Sequence, residues 1–244
     1  MIQGIYLATQ GMTTLMQKQD QIANNLANVN TTGYKQSHLF AQTYNKFVKN
    51  DQREPFVNRQ IKADQVAVDY SEGSLKKTGN PLDFAIKGSG FYTVMTPHGM
   101  GFSRNGNFAM DAQGYLITKE GYKVMSTEGF INLEHNKDVR VTSDGYVMQG
   151  DERKARLRIT DFRKPYRLLR QGNSIYRPQM PDNPAIASPG FAVKQGYLES
   201  SNVNLIRNMT EMIAAFRNFE ADQKALHAQN ETLDKAVNQV GRLS

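Results

Sequence analysis

The feature that most constrains this chain is an apolar rhythm near its carboxy terminus. Leu205, Met209, Met212, Phe216, Phe219, Gln223, Leu226, Asn230, Leu233, Val237 and Val240 fall at alternating steps of four and three. That spacing returns to one stripe of an α-helix every two turns and is the seam pattern of helices that pack lengthwise. Neither Gly nor Pro interrupts the span, so it predicts one helix about 54 Å long at about 1.5 Å per residue. Ser200, Ser201 or Asn202 can cap its start, and Gly241 can stop it. A helix this long buries too little of itself alone and needs a partner.

The amino terminus offers one. Ile5, Ala8, Met12, Leu15, Gln19, Ile22, Leu26 and Val29 keep the same alternation, ended by Asn30-Thr31-Thr32-Gly33. Gly4, Ala8 and Gly11 form a small-residue stripe where another backbone can approach. The amides Gln19, Gln223 and Asn230 within the stripes suit a bundle whose register they fix. The same spacing also fits two amphipathic helices of an ordinary globular core.

Between the helices the pattern changes twice. Residues 34–70 are polar and weakly patterned, include Pro55, and read as an extended connector that orders against a partner. From Ser71 to about Tyr197 short strands alternate with glycine turns. Nine glycines directly precede an aromatic: Tyr34, Phe91, Phe102, Tyr115, Tyr122, Phe130, Tyr146, Phe191 and Tyr197. A glycine supplies the turn and the aromatic opens and anchors a strand. Asp111-Ala112-Gln113-Gly114 and Thr142-Ser143-Asp144-Gly145 are the clearest turns. The expected fold is α+β: residues 1–33 and 200–244 form one discontinuous helical domain, coiled-coil-like, around a β-rich domain at 71–199.

At 244 residues the chain holds one or two domains, and it contains no Cys, which removes disulfides, thiolate metal sites and a cysteine nucleophile. No apolar run is long enough to span a membrane. The start, Met1-Ile2-Gln3-Gly4-Ile5-Tyr6, lacks the charged and apolar regions of a cleaved secretory signal. On that ground alone the expected location is the cytoplasm.

The net charge is +7, and much of it is local. Arg153, Lys154, Arg156, Arg158, Arg163, Lys164, Arg167 and Arg170 face only Asp151, Glu152 and Asp161. Clustered cations of this kind bind nucleic acid by displacing counterions. They equally suit the wet face of a strand, since Arg156 and Arg158 alternate with Leu157 and Ile159. No recognisable nucleic-acid module surrounds them.

Chemistry has no positive support. His38, His98, His135 and His227 are far apart and lack a second ligand at metal spacing. Gly88-Ser89-Gly90 opens like a dinucleotide loop but leads into no helix. There is no nucleophile elbow, no P-loop and no carboxylate pair legible in sequence. No catalytic residue, metal ligand, cofactor or small-molecule substrate is expected. A β-fold enzyme acting on the cell wall would need a carboxylate or histidine cluster assembled from distant residues.

One stretch is far more specific than these patterns. Ala23-Asn24-Asn25-Leu26-Ala27-Asn28-Val29-Asn30-Thr31-Thr32-Gly33-Tyr34-Lys35 resembles the amino-terminal signature of the bacterial flagellar rod and hook proteins. Gly79 to Phe91, the stretch Phe102-Ser103-Arg104-Asn105-Gly106-Asn107-Phe108, and Gln195 to Val203 resemble further segments of that family. The likeness covers nearly the whole chain. It is nearest to the proximal rod members, since Thr96-Pro97 follows the first β strand, the chain is short, and the segment after Lys35 lacks the pattern of the distal rod type.

The resemblance implies a structural subunit of the basal-body rod that polymerises through its terminal helices into a hollow, torque-bearing shaft. It implies export by the flagellar type III apparatus without a cleaved signal, which replaces the cytoplasmic expectation with a periplasmic rod. Partners would be other copies and other axial proteins, with no nucleic acid and no direct membrane insertion; a distal rod or hook-type axial protein is the alternative. The subunit interface would use Ile5, Met12, Leu15, Ile22, Leu26, Val29, Leu205, Met209, Met212, Phe216, Phe219, Leu226, Leu233, Val237 and Val240.

Overall fold

The computed structural model describes residues 2–47, 57–179, 186–188 and 190–240. The chain is of the α+β class and divides into two compact units. The helical unit takes Met1–Ala27, Ser37–Asp69 and Asn204–Ser244; the β unit takes Asn28–Gln36 and Tyr70–Val203.

In the helical unit, α1 spans Ile2–Ala27 and α2 spans Leu205–Val240. They pack against one another. The cap of α2 is Asn204, rather than Ser200, Ser201 or Asn202. Its side-chain oxygen accepts from the Arg207 amide at 3.0 Å, and its carbonyl accepts from the Asn208 amide at 3.0 Å. An Asn in this position satisfies a donor that the first helical turn leaves open. Gly241, the expected stop, lies outside the described residues.

Among the described residues of 34–70, paired strands take the place of the expected extended connector. Ser37–Phe47 (β1) and Val57–Val68 (β2) pair antiparallel, from Ser37 opposite Val68 to Phe47 opposite Val57, with a bulge between Phe40 and Ala41. Pro55 lies outside the described residues. The β-branched residues Val57, Ile61, Val66 and Val68 favour the extended backbone, and pairing satisfies polar main-chain groups whatever the side chains are. The start of β1 is pinned to the end of α1 by a residue of the amino-terminal signature. Asn25, 2% exposed, donates to the Ser37 carbonyl at 2.8 Å and accepts from its amide at 3.1 Å. Gln21, one turn earlier, donates to the Ser37 hydroxyl at 2.6 Å.

The β unit is built of short antiparallel strands. The largest sheet runs Leu168–Arg170, Ile175–Pro178, Gly99–Ser103, Phe91–Thr96, Lys123–Val124, Leu116–Thr118 and Phe108–Met110. Ile159–Asp161 joins Phe91–Thr96 off this path. Phe84–Gly88 pairs with Phe191–Gln195, and Leu75–Lys77 with Tyr197–Glu199. The two turns read from sequence are present. Gly114 donates to the Asp111 carbonyl at 3.0 Å while the Asp111 side chain accepts from Gln113 and Tyr115; Gly145 donates to the Thr142 carbonyl at 2.9 Å.

Seven of the nine glycines that precede aromatics have positive φ, so the turn reading holds at most of them. The anchoring reading holds less often. Tyr34, Phe91 and Phe102 are buried, whereas Phe130 is 44% exposed. The core gathers around Phe84, Tyr92, Val94, Phe108, Leu116 and Leu157, all at most 3% exposed. Gly106 is required for this packing, since a Cβ there would fall 1.7 Å from the Phe84 carbonyl oxygen.

Beside the core lies an aromatic group in which Tyr70 meets Tyr166 at 4.9 Å and Tyr176 at 5.6 Å between ring centroids. Burial raises the pKa of the Tyr70, Tyr92 and Tyr176 phenols, and burial together with a 2.8 Å bond to Asp161 pushes Tyr166 up to about 12. Each phenol is therefore harder to ionise folded than unfolded. Stability from the neutral form is complete below the ordinary phenol pKa of about 10 and is lost as pH rises through the raised values. The β unit is expected to unfold cooperatively in alkali above about pH 10, with tyrosinate absorbance and loss of sheet circular dichroism rising together. Ionisation of all the tyrosines with the sheet signal intact would contradict the burial.

Candidate functional site

Three family-like stretches that are far apart in sequence converge in the β unit on one carboxylate. Glu199, 1% exposed, accepts from the Lys35 ammonium at 2.5 Å, from the Gly73 amide at 3.0 Å and from the Arg104 guanidinium at 3.2 Å. Lys35 is fully buried and also donates to the Ser71 carbonyl at 2.5 Å. Arg104 donates further to the carbonyls of Ile86 and Gly88. One buried anion thus serves two buried cations, a cluster that survives in low dielectric only because nearly every polar atom finds a partner. Burial lowers the Lys35 pKa, an effect that Glu199 opposes and the Arg104 charge reinforces.

The backbone around the cluster is as closely fitted. Gly33 donates to the Glu199 carbonyl at 2.8 Å, and Asn202 accepts from the Gln36 amide at 2.6 Å. Gly33 has φ +66°, and a Cβ on it would meet the Asn105 amide at 2.5 Å. Arg170 covers Tyr34 at 4.0 Å from its ring centroid. So Gly33-Tyr34-Lys35, Arg104-Asn105 and Glu199 to Asn202 form a single clamp. All three stretches carry the family resemblance in sequence, and nothing local in them shows the contact that unites them.

The second feature is the surface of α2, which has two apolar faces. Inward lie Asn208 and Ala215, at 0% and 2% exposure, with Met212, Phe219, Leu226 and Leu233 half-buried. Outward lie Leu205, Ile206, Met209, Ile213 and Phe216, from 47% to 76% exposed. The seam read from sequence is thereby divided: Met212, Phe219, Leu226 and Leu233 turn in, while Leu205, Met209 and Phe216 face out. Asn208 and Ala215 hold the inward places next to Met209 and Phe216. On α1, Ile22 is buried and Met12, Leu15 and Leu26 are half-buried; Val29 is half-buried in the β unit. The side chains of Ile5, Val237 and Val240 lie outside the described residues.

The basic strip is largely engaged locally. Arg153 and Arg156 each lie 5.1 Å from the Tyr146 ring centroid, and Lys154 pairs with Glu134 and Glu152. Leu157 and Ile159 enter the core while Arg156 and Arg158 stay exposed, the pattern of a strand with one wet face. Among the described residues no group of His, Asp and Glu could hold a metal ion, and no helix is long and apolar enough to cross a membrane.

A helical unit that exposes an apolar face on α2, and a β unit closed internally by a buried ionic clamp, are features of a subunit that assembles with others. Comparison with known proteins specifies which kind. Residues 5–35 match the family described as flagella basal body rod protein, residues 85–149 the flagellar hook protein FlgE/F/G D1 domain, and residues 194–240 the flagellar basal body rod FlgEFG protein C-terminal. The flagellar basal-body rod protein FlgG of Bacillus subtilis is 31% identical over 98% of this chain and 99% of its own length. The flagellar basal-body rod protein FlgF of Rhizobium meliloti is 31% identical over 98% of each chain. The flagellar hook-basal body complex protein FlhO of Bacillus subtilis is 27% identical over the full length of both. The chain belongs to the flagellar basal-body rod protein family.

Proposed function

We propose that this protein is a structural subunit of the bacterial flagellar basal-body rod, of the proximal type, that polymerises through its terminal helices into the hollow axial shaft transmitting torque. The observation that carries this reading is the outward face of α2. Five large apolar side chains on about three turns of one helix form a patch of the kind that marks a contact with another protein. In this reading α1 and α2 pack in coiled-coil fashion within the subunit, and the outward face meets the next copy. A contact between different patches, repeated without closing, generates a helical tube.

Partners are other copies and other axial proteins of the basal body. Export through the flagellar type III apparatus, without a cleaved signal, and residence in the periplasmic rod complete the proposal. Electron microscopy of basal bodies from a deletion strain tests it. The expected result is a rod that stops short, restored by the intact gene; full-length rods in the deletion strain would overturn the assignment.

A further inference from the structure

The sequence contains one Asn-Gly pair, Asn105-Gly106, and it lies in the clamp segment beside Arg104. In an open chain such a pair reacts by itself. The Gly106 nitrogen attacks Cγ of Asn105, a C–N bond forms, and the side-chain nitrogen leaves as ammonia. Water then opens the cyclic imide, chiefly at the main-chain carbonyl. The chain afterwards runs through Cγ as isoaspartate, one methylene longer. Glycine favours the attack because no side chain blocks the approach and its backbone turns freely.

The fold opposes each of these movements. The Asn105 side-chain oxygen accepts from the Asn107 amide at 3.1 Å, and the Asn105 amide donates to the Ser103 hydroxyl at 3.0 Å. The Gly106 carbonyl accepts from the Phe84 amide at 2.9 Å. Swinging the side chain back onto the Gly106 nitrogen would break this set of bonds. The product fits no better than the motion. Gly106 is buried with the Phe84 carbonyl where its Cβ would be, and Gly33 backs onto the Asn105 amide. An added methylene has no room between them.

We propose that Asn105 is a deamidation site that closure of the clamp silences, and that its conversion to isoaspartate bars the clamp from closing afterwards. A folded chain keeps its amide, whereas a chain held open is modified and cannot return. Nothing in this depends on what the subunit assembles into.

The experiment incubates the full chain at mildly alkaline pH, in native buffer and in guanidinium chloride. Chymotryptic digestion and mass spectrometry of the 103–108 peptide follow the amide turning to acid, and chromatography separates the aspartyl and isoaspartyl forms. In denaturant the conversion is expected to match that of a blocked peptide of residues 104–108. In native buffer it should be at least about tenfold slower, since reaction there waits for local opening. Glu199→Gln, which loosens the clamp, should speed the reaction in native buffer. Isoaspartyl chains returned to native buffer should melt at a lower midpoint than fresh chains. Asn105→Gln, whose longer side chain cyclises far more slowly, should refold alike fresh or aged, which separates this residue from other damage. Equal rates in the two buffers, a native rate untouched by Glu199→Gln, or isoaspartyl chains that regain the midpoint of fresh ones would overturn the proposal.

Discussion

Glu199→Gln is expected to cost the β unit about 3–5 kcal/mol of unfolding free energy, the usual penalty for leaving buried charge without its counter-ion. The substitution keeps the shape and removes the charge, so Lys35 at 0% and Arg104 at 4% exposure would face one another with no anion between them. For a domain whose whole stability is about 5–15 kcal/mol this is a large share. Lys35→Met should cost less, about 1–3 kcal/mol. It leaves a neutral Arg104–Glu199 pair, and the Ser71 carbonyl keeps a donor in the Asn202 side chain at 3.3 Å. Urea unfolding followed by tyrosine fluorescence measures both. If Glu199→Gln costs no more than Lys35→Met, the carboxylate is not the keystone of the clamp.

The second large effect concerns assembly. Ile213→Asp together with Phe216→Asp is expected to abolish incorporation into rods and motility while leaving the isolated subunit as stable as the parent. Both side chains are 54% exposed, so the folded monomer gains little from them. Burying the half of the five outward residues that water still reaches is worth about 4–8 kcal/mol per contact. Association itself consumes a comparable amount. One contact would then be weak and many in series strong, which suits a subunit that must stay soluble until it reaches the growing end. Motility assays and electron microscopy of purified basal bodies provide the readout, with thermal melting as the control. Swimming cells with normal rods would remove the outward face from the interface; a lowered melting point would show that it belongs to the monomer's own core.

Periodicity made the helices legible, and it went wrong where size and polarity mislead. A template that equates apolar with inward took Met209 and Phe216 for seam positions, while the structure buries the neighbouring Asn208 and Ala215. The hairpin Ser37–Val68 escaped because a strand of mixed polar residues is held by main-chain pairing and by Asn25. Neither leaves a hydrophobic signature. The turns were readable since their determinants lie within four residues of one another. The clamp was not, because nothing local in Lys35, Arg104 or Glu199 announces that they meet. Their stretches could be singled out by family resemblance alone.

The span of that clamp bears on when the β unit can form. Lys35 and Glu199 are 164 positions apart, and the strand that closes against Leu75–Lys77 runs into Glu199 itself. A polypeptide delivered end-first from a narrow exit, whichever end leads, must release most of its length before the two charges can meet. Until then Lys35 has no reason to leave water. On the proposed export route closure would therefore be a terminal event of delivery, with this region open in a subunit still threaded through its conduit.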